Sequence, residues 1–219
     1  MDYKKELVRL LIGSEALRFG DFTLKSGRKS PYFLNAGMIR TGGHYEKLGS
    51  LYAARIMEVV GGDFEILFGP AYKGIPLAAA AACALWRDHG VDRAVCFNRK
   101  EVKDHGEGGI LVGALPRDGD RIVIVEDVTT SGASVREVMP LLRAAADVRV
   151  TDMFTMLDRM EAGADGKYAV REIKEEFGIT IHPIMNVREL IGCLRNEASF
   201  DQAIVDRMEE YVGQYCVRE

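Results

Sequence analysis

Ile122-Val-Ile-Val-Glu-Asp-Val-Thr-Thr-Ser-Gly-Ala-Ser-Val135 decides the fold. An unbroken apolar run meets two adjacent acids, Glu126 and Asp127, and then a turn of small, hydroxyl-bearing residues. Such a run reads as a strand covered on both faces, as in a parallel sheet. The turn opens a helix expected over 133–146. In open α/β sheets, ligands sit beyond the carboxyl ends of the strands. The loop 129–134 gathers backbone N–H groups and hydroxyls at a helix N-terminus, which makes an anion site suited to a phosphate monoester. The two acids repel a phosphate, so they suit sugar hydroxyls or a nearby metal. A phosphate and a polyol held side by side describe ribose 5-phosphate. A Ser/Thr-capped helix after a strand would explain the hydroxyls. It would not explain two acids ending a buried strand.

On either side, strands are expected at 66–69, 93–98, 110–112, 148–157 and 179–185. Helices are expected at 43–60, 75–88 and 167–177, and the tail from Val187 is mostly helical. Strands separated by helices of this length imply an α/β fold, a Rossmann-like parallel sheet with helices on both faces. Residues 3–17 carry Leu7, Leu10 and Leu11 at helical spacing and predict an opening amphipathic helix. Residues 22–37 read as two short strands around a turn marked by Gly27 and Pro31. The polar stretch 99–109 reads as a Gly-rich loop. The expected division is a small N-terminal hood with helices (1–60), an α/β core (61–190) and a C-terminal helical segment (191–219).

The bulk numbers fit an ordinary globular protein. The 219 residues are 47% hydrophobic and 28% charged. With 29 basic and 33 acidic residues the net charge is -4, which argues against a general nucleic-acid partner but not against a local basic pocket. No apolar run is long enough for a membrane span, and the charged stretch 1–9 lacks a signal-peptide core, so a cytoplasmic location is expected. Cys83, Cys96, Cys193 and Cys216 are scattered, with no metal-ligand spacing, and read as reduced thiols packed as small hydrophobes. His44, His89 and His182 have no supporting pattern.

The 122–135 segment resembles the phosphoribosyl pyrophosphate (PRPP) signature of the type I phosphoribosyltransferases. The resemblance implies that fold. It also implies that Glu126 and Asp127 hold the ribose hydroxyls while Val128, Thr129, Thr130, Ser131, Gly132, Ala133 and Ser134 wrap the 5-phosphate. Many members have two Asp where this chain has Glu-Asp, a change that keeps the charge and lengthens one arm.

Four more segments, in the same order along the chain, resemble orotate phosphoribosyltransferases in particular. Phe68-Gly-Pro-Ala-Tyr-Lys-Gly-Ile-Pro76 looks like their pyrophosphate loop, with Tyr72 and Lys73 toward the donor. Arg99-Lys-Glu-Val-Lys-Asp-His-Gly-Glu-Gly-Gly109 looks like their mobile catalytic loop, with Arg99, Lys100, Lys103 and His105 around the pyrophosphate. In that family this loop reaches the neighbouring subunit's site, so a homodimer is implied. The 22–37 stretch resembles the orotate-specific hood, with Lys25 at the substrates and Phe33 and Leu34 flanking the pyrimidine. An aromatic is frequent in the family where Leu34 stands. In Leu157-Asp-Arg-Met-Glu161, Arg159 corresponds to the arginine that pairs with the orotate carboxylate, and Thr130 falls near the pyrimidine.

The implied reaction is displacement of pyrophosphate from C1 of the ribose by N1 of orotate, giving orotidine 5′-monophosphate in pyrimidine (UMP) biosynthesis. Mg²⁺ is the implied cofactor and reaches the site with the donor, near Glu126 and Asp127. Lys73, Arg99, Lys103 and His105 are the expected catalytic cations. The length implies an enzyme without the fused decarboxylase domain of some relatives. Rival readings are the same fold with a purine or uracil acceptor, and a non-catalytic sensor that keeps the donor loop. The first has no use for Arg159, and the second would carry a basic DNA-binding module that is not visible. A P-loop or dinucleotide fold lacks its glycine motif here.

Overall fold

The computed structural model describes residues 3–24, 26–103, 109–128, 132–163 and 166–218, without the side chains of 102 and 103. In chain order the elements are α1 (Tyr3–Gly13), β1 (Leu17–Thr23), β2 (Lys29–Leu34), α2 (Gly42–Val59), β3 (Ile66–Gly69) and α3 (Gly74–His89). They continue with β4 (Ala94–Lys103), β5 (Gly109–Gly113), β6 (Arg121–Val128), α4 (Ala133–Ala145) and β7 (Arg149–Asp158). The chain closes with α5 (Ala169–Phe177), β8 (Thr180–Asn186), α6 (Val187–Arg195) and α7 (Gln202–Tyr215).

Six strands form one sheet in the order β5-β4-β3-β6-β7-β8, and β1 and β2 form a separate antiparallel hairpin. All pairings in the large sheet are parallel except β4 with the edge strand β5. The apolar run of β6 divides by parity, because successive side chains point to opposite faces of a strand. Ile122 and Ile124 join an apolar cluster with Val135, Val138 and Leu142 of α4 and Ile173 of α5. Val123 and Val125 join the other cluster, with Leu48 and Tyr52 of α2, Leu77 and Ala81 of α3, and residues of α1, α6 and α7. The second cluster therefore draws on the N-terminal, central and C-terminal thirds of the chain.

Three expectations need correction. The opening helix stops at Gly13 rather than reaching Leu17. Glu15 takes a left-handed φ of 59°, and Leu17 pairs with Leu34 as the first residue of β1. The hairpin therefore starts before Phe22, because cross-strand pairing outweighs helical spacing in these last apolar residues. The 99–109 stretch is not all loop. β4 runs on through Arg99–Lys103, and Lys103 pairs with Gly109 at the start of β5. Charged side chains are at home on such a peripheral hairpin, where one edge faces water. Finally, Cys83 is exposed rather than packed, on the outer side of α3.

Candidate active site

The site is built where β3 and β6 end side by side. Glu126 and Asp127 finish β6, and each is only 7% exposed. Asp127 accepts an ion pair from Lys73 at the start of α3, Nζ to Oδ2 2.8 Å. Its other oxygen accepts from the Val128 amide at 2.8 Å, and Glu126 Oε1 accepts from the Asp127 amide at 2.9 Å. On the α4 side, the Ser134 hydroxyl faces Glu126 and favours its charged form. Tyr52 of α2 donates its hydroxyl to the Glu126 carbonyl at 2.7 Å, which ties the strand end to the helix beneath it. Burial pushes the Glu126 carboxyl up to about 7, and the neighbouring Asp127 charge adds to the rise.

The loop between β3 and α3 is shaped by close backbone contact. A Cβ on Gly69 would lie 2.3 Å from the Gly74 carbonyl oxygen, and one on Gly74 would lie 2.7 Å from Pro70 Cδ and 2.9 Å from the Val125 oxygen. Only glycine fits at either position. The Gly74 amide donates to the Pro70 carbonyl at 3.0 Å, and the Ala71 amide to Asn98 Oδ1 at 2.9 Å. Asn98, 1% exposed on β4, also donates to the Arg99 carbonyl at 3.2 Å. One buried amide thus links this loop to the base of the cationic hairpin. Tyr72, at the tip, is 70% exposed.

Helix α4 has Gly132 as its N-cap, with φ 69° and no side-chain cap. Its first amides are left for another acceptor, as at a phosphate site. Ala133 and Ser134 make up the first turn. Lys100 on β4 is paired with Glu137 of α4, with Nζ 2.6 Å from each carboxylate oxygen. Arg99 follows Asn98 on the same strand. Lys25, His105, Thr129, Thr130 and Ser131 lie outside the described residues, as does the side chain of Lys103.

The residues expected on the acceptor side fall on the hairpin and at the end of β7. Phe33 stacks on Phe22, with ring centroids 5.5 Å apart, and Leu34 packs against the main apolar cluster. Arg159 is 8% exposed and lies over the Tyr32 ring, 4.3 Å from its centroid. Its Nε donates to Glu161 Oε1 at 2.8 Å, and its Nη2 lies 3.4 Å from Ser30 Oγ.

Sequence reasoning passed over Tyr52, Asn98, Ser30, Tyr32, Glu161 and Tyr211. Glu161 carried a local signal, since it closes the Arg159 motif, and so did Ser30 and Tyr32, which lie in the 22–37 stretch. The others act from elements that only the folded chain brings near.

Among the described residues, no group of three or more His, Cys, Asp or Glu is arranged to hold a metal. Two hard-oxygen carboxylates at the strand end suit a Mg²⁺ that keeps water and substrate oxygens as its other ligands, the usual habit of that ion.

Residues 39–182 match the phosphoribosyl transferase domain. The orotate phosphoribosyltransferase of Clostridium acetobutylicum is 46% identical over 221 residues, covering 99% of each chain. That of Lachnoclostridium phytofermentans is 44% identical over 220 residues, covering 98% of each. The crystal structure of orotate phosphoribosyltransferase from Francisella tularensis aligns with a TM-score of 0.85 at 31% identity, covering 97% of this chain and 100% of that one.

Proposed function

The chain belongs to the orotate phosphoribosyltransferase family, and we propose that it joins orotate to the ribose 5-phosphate of PRPP, releasing pyrophosphate, in pyrimidine biosynthesis. The observation that carries this reading is the pair of buried carboxylates ending β6 directly before the uncapped N-terminus of α4. That juxtaposition meets a phosphorylated sugar from both of its chemical ends.

In this reading Glu126 and Asp127 accept hydrogen bonds from the ribose hydroxyls. The turn 128–134 (Val128, Thr129, Thr130, Ser131, Gly132, Ala133, Ser134) receives the 5-phosphate on its amides and hydroxyls. Tyr72, Lys73, Arg99, Lys100, Lys103 and His105 surround the pyrophosphate, with Lys25 at the junction of donor and acceptor. Lys73 and Lys100 are already paired, and neither pairing blocks the role. Lys73 is 57% exposed along its side chain and can swing from Asp127. The exposed Lys100–Glu137 pair is worth about 1 kcal/mol or less. Mg²⁺ would be held by the donor's oxygens with Glu126 and Asp127 beside it, supplying positive charge to the leaving pyrophosphate. Lys73, Arg99, Lys103 and His105 add charge where it builds up on that leaving group. Orotate is already an anion, so Arg159 orients it, with Phe33, Leu34 and Thr130 flanking the ring. Closure of the 99–109 hairpin keeps water from the activated sugar.

The working unit is a homodimer in which that hairpin serves the partner's site. An apolar stripe supports this. Tyr72 and Trp86 are 70% and 61% exposed, and Ala79 and Cys83 are exposed between them along α3. Among the described residues no helix is long and apolar enough to cross a membrane; the proposed location is cytoplasmic.

The test follows orotate consumption spectrophotometrically with PRPP and Mg²⁺, against uracil and hypoxanthine as alternative acceptors. Turnover confined to orotate is expected. Equal turnover of a neutral base would overturn the choice of acceptor, and no turnover of any base would overturn the enzyme reading.

A further inference from the structure

The C-terminal helix closes on the arginine of the acceptor site. Met160 has a left-handed φ of 56°, a reversal between Arg159 and Glu161 that lets their side chains meet. Glu161 Oε1 accepts from Arg159 Nε at 2.8 Å and lies 2.5 Å from Nη2. The same oxygen accepts the hydroxyl of Tyr211, from α7, at 2.7 Å. The Tyr211 ring stands edge-on to Tyr32, at 5.9 Å and 84°, and Tyr32 is the ring on which the guanidinium lies.

The backbone repeats the arrangement. The end of α7 and the residues after it run along 159–162. Cys216 Sγ donates to the Arg159 carbonyl at 3.2 Å, the Val217 amide to the Met160 carbonyl at 2.9 Å, and the Ala162 amide to the Tyr215 carbonyl at 3.0 Å. Arg28, from the turn of the hairpin, donates to the Ala162 carbonyl at 2.7 Å and lies over the Tyr215 ring at 5.1 Å.

A guanidinium is a rigid planar fork. Seating its plane on Tyr32 and its Nε edge on Glu161 leaves one edge to receive a carboxylate. Among the described residues Nη1 has no hydrogen-bond partner. We infer that α7 belongs to the acceptor site, and that Tyr211, acting through Glu161, is a positioning residue that aims Arg159 at the acceptor's carboxylate. This rests on the reading of Arg159 given above and extends the site to an element 50 residues further along the chain. Burial and the Glu161 hydrogen bond push the Tyr211 phenol up to about 12, so it remains a donor across the working pH range.

The test is a double-mutant cycle on the full-length enzyme. Tyr211→Phe keeps the ring and its contact with Tyr32 and removes only the donor. It is expected to raise the KM for orotate about five- to tenfold, the net effect of one ordinary hydrogen bond, since Tyr211 acts on the arginine only through Glu161. The KM for PRPP and kcat stay within about twofold in that variant, a split that general loss of folding would not produce. In an Arg159→Ala background the same change has no further effect. If Tyr211→Phe leaves the orotate KM unchanged, or is fully additive with Arg159→Ala, α7 does not act through the arginine and this inference falls alone. If Arg159→Ala itself leaves the orotate KM unchanged, the acceptor reading falls with it.

Discussion

Replacing Glu126 by Gln separates what this carboxyl does for function from what it costs the fold. The group is 7% exposed, next to the Asp127 carboxylate, and burial raises it from the usual 4.5 to about 7. A raised acid binds its proton more tightly in the native state than in the unfolded one, so stability falls as pH rises between the two values. Below about pH 4.5 both states are protonated and nothing is lost. Between there and about 7 the unfolded state ionises first, and above 7 the loss is complete. At about 1.4 kcal/mol per pH unit the full loss is about 3 kcal/mol. Most of it develops between pH 5 and pH 8. Glutamine keeps the shape and the oxygen that accepts the Asp127 amide, and it has no charge to desolvate. Glu126→Gln should therefore gain about 2–3 kcal/mol over the wild type on going from pH 5 to pH 8. For a chain of this size that is a relative rise in Tm of roughly 5–10 °C. Thermal and urea unfolding of both proteins at the two pH values, without substrate, provide the measurement. The KM for PRPP should rise in the same variant, as expected where a functional carboxylate is kept at a cost in stability. A difference in stability that does not change with pH, or one favouring the wild type increasingly as pH rises, would refute the account of this carboxyl.

Other outcomes follow from the same geometry. Gly69→Ala and Gly74→Ala each drive a Cβ into backbone, at 2.3 Å and 2.9 Å, and should cost about 3 kcal/mol in urea unfolding as well as raising the KM for PRPP. Lys103→Ala should lower kcat far more than it changes orotate affinity; equal losses in both would remove it from the leaving group. Mixing inactive Lys103→Ala with inactive Asp127→Asn should restore activity that neither has alone, if the hairpin crosses to the partner subunit. No recovery after mixing would place the hairpin in its own subunit's site.

The sequence by itself determined the central unit of this protein. An apolar strand, two acids, a small-residue turn and a helix are local signals, encoded in the pattern of a dozen neighbouring residues. Their order along the chain was enough to imply the parallel sheet and the family. Tertiary structure decided the rest. Whether 99–103 is loop or strand depends on pairing with β5, a partner that charge patterning does not reveal. Where α1 ends depends on Leu17 finding Leu34 across the hairpin. The opposed settings of the two acids, Asp127 against Lys73 and Glu126 toward Ser134, come from strand parity combined with helices on both faces. Tyr52, Asn98 and Tyr211 reach the site from 74, 27 and 50 residues away along the chain. Contacts at that separation leave no periodicity in the sequence, because they are set by which strand ends and helices the sheet brings side by side.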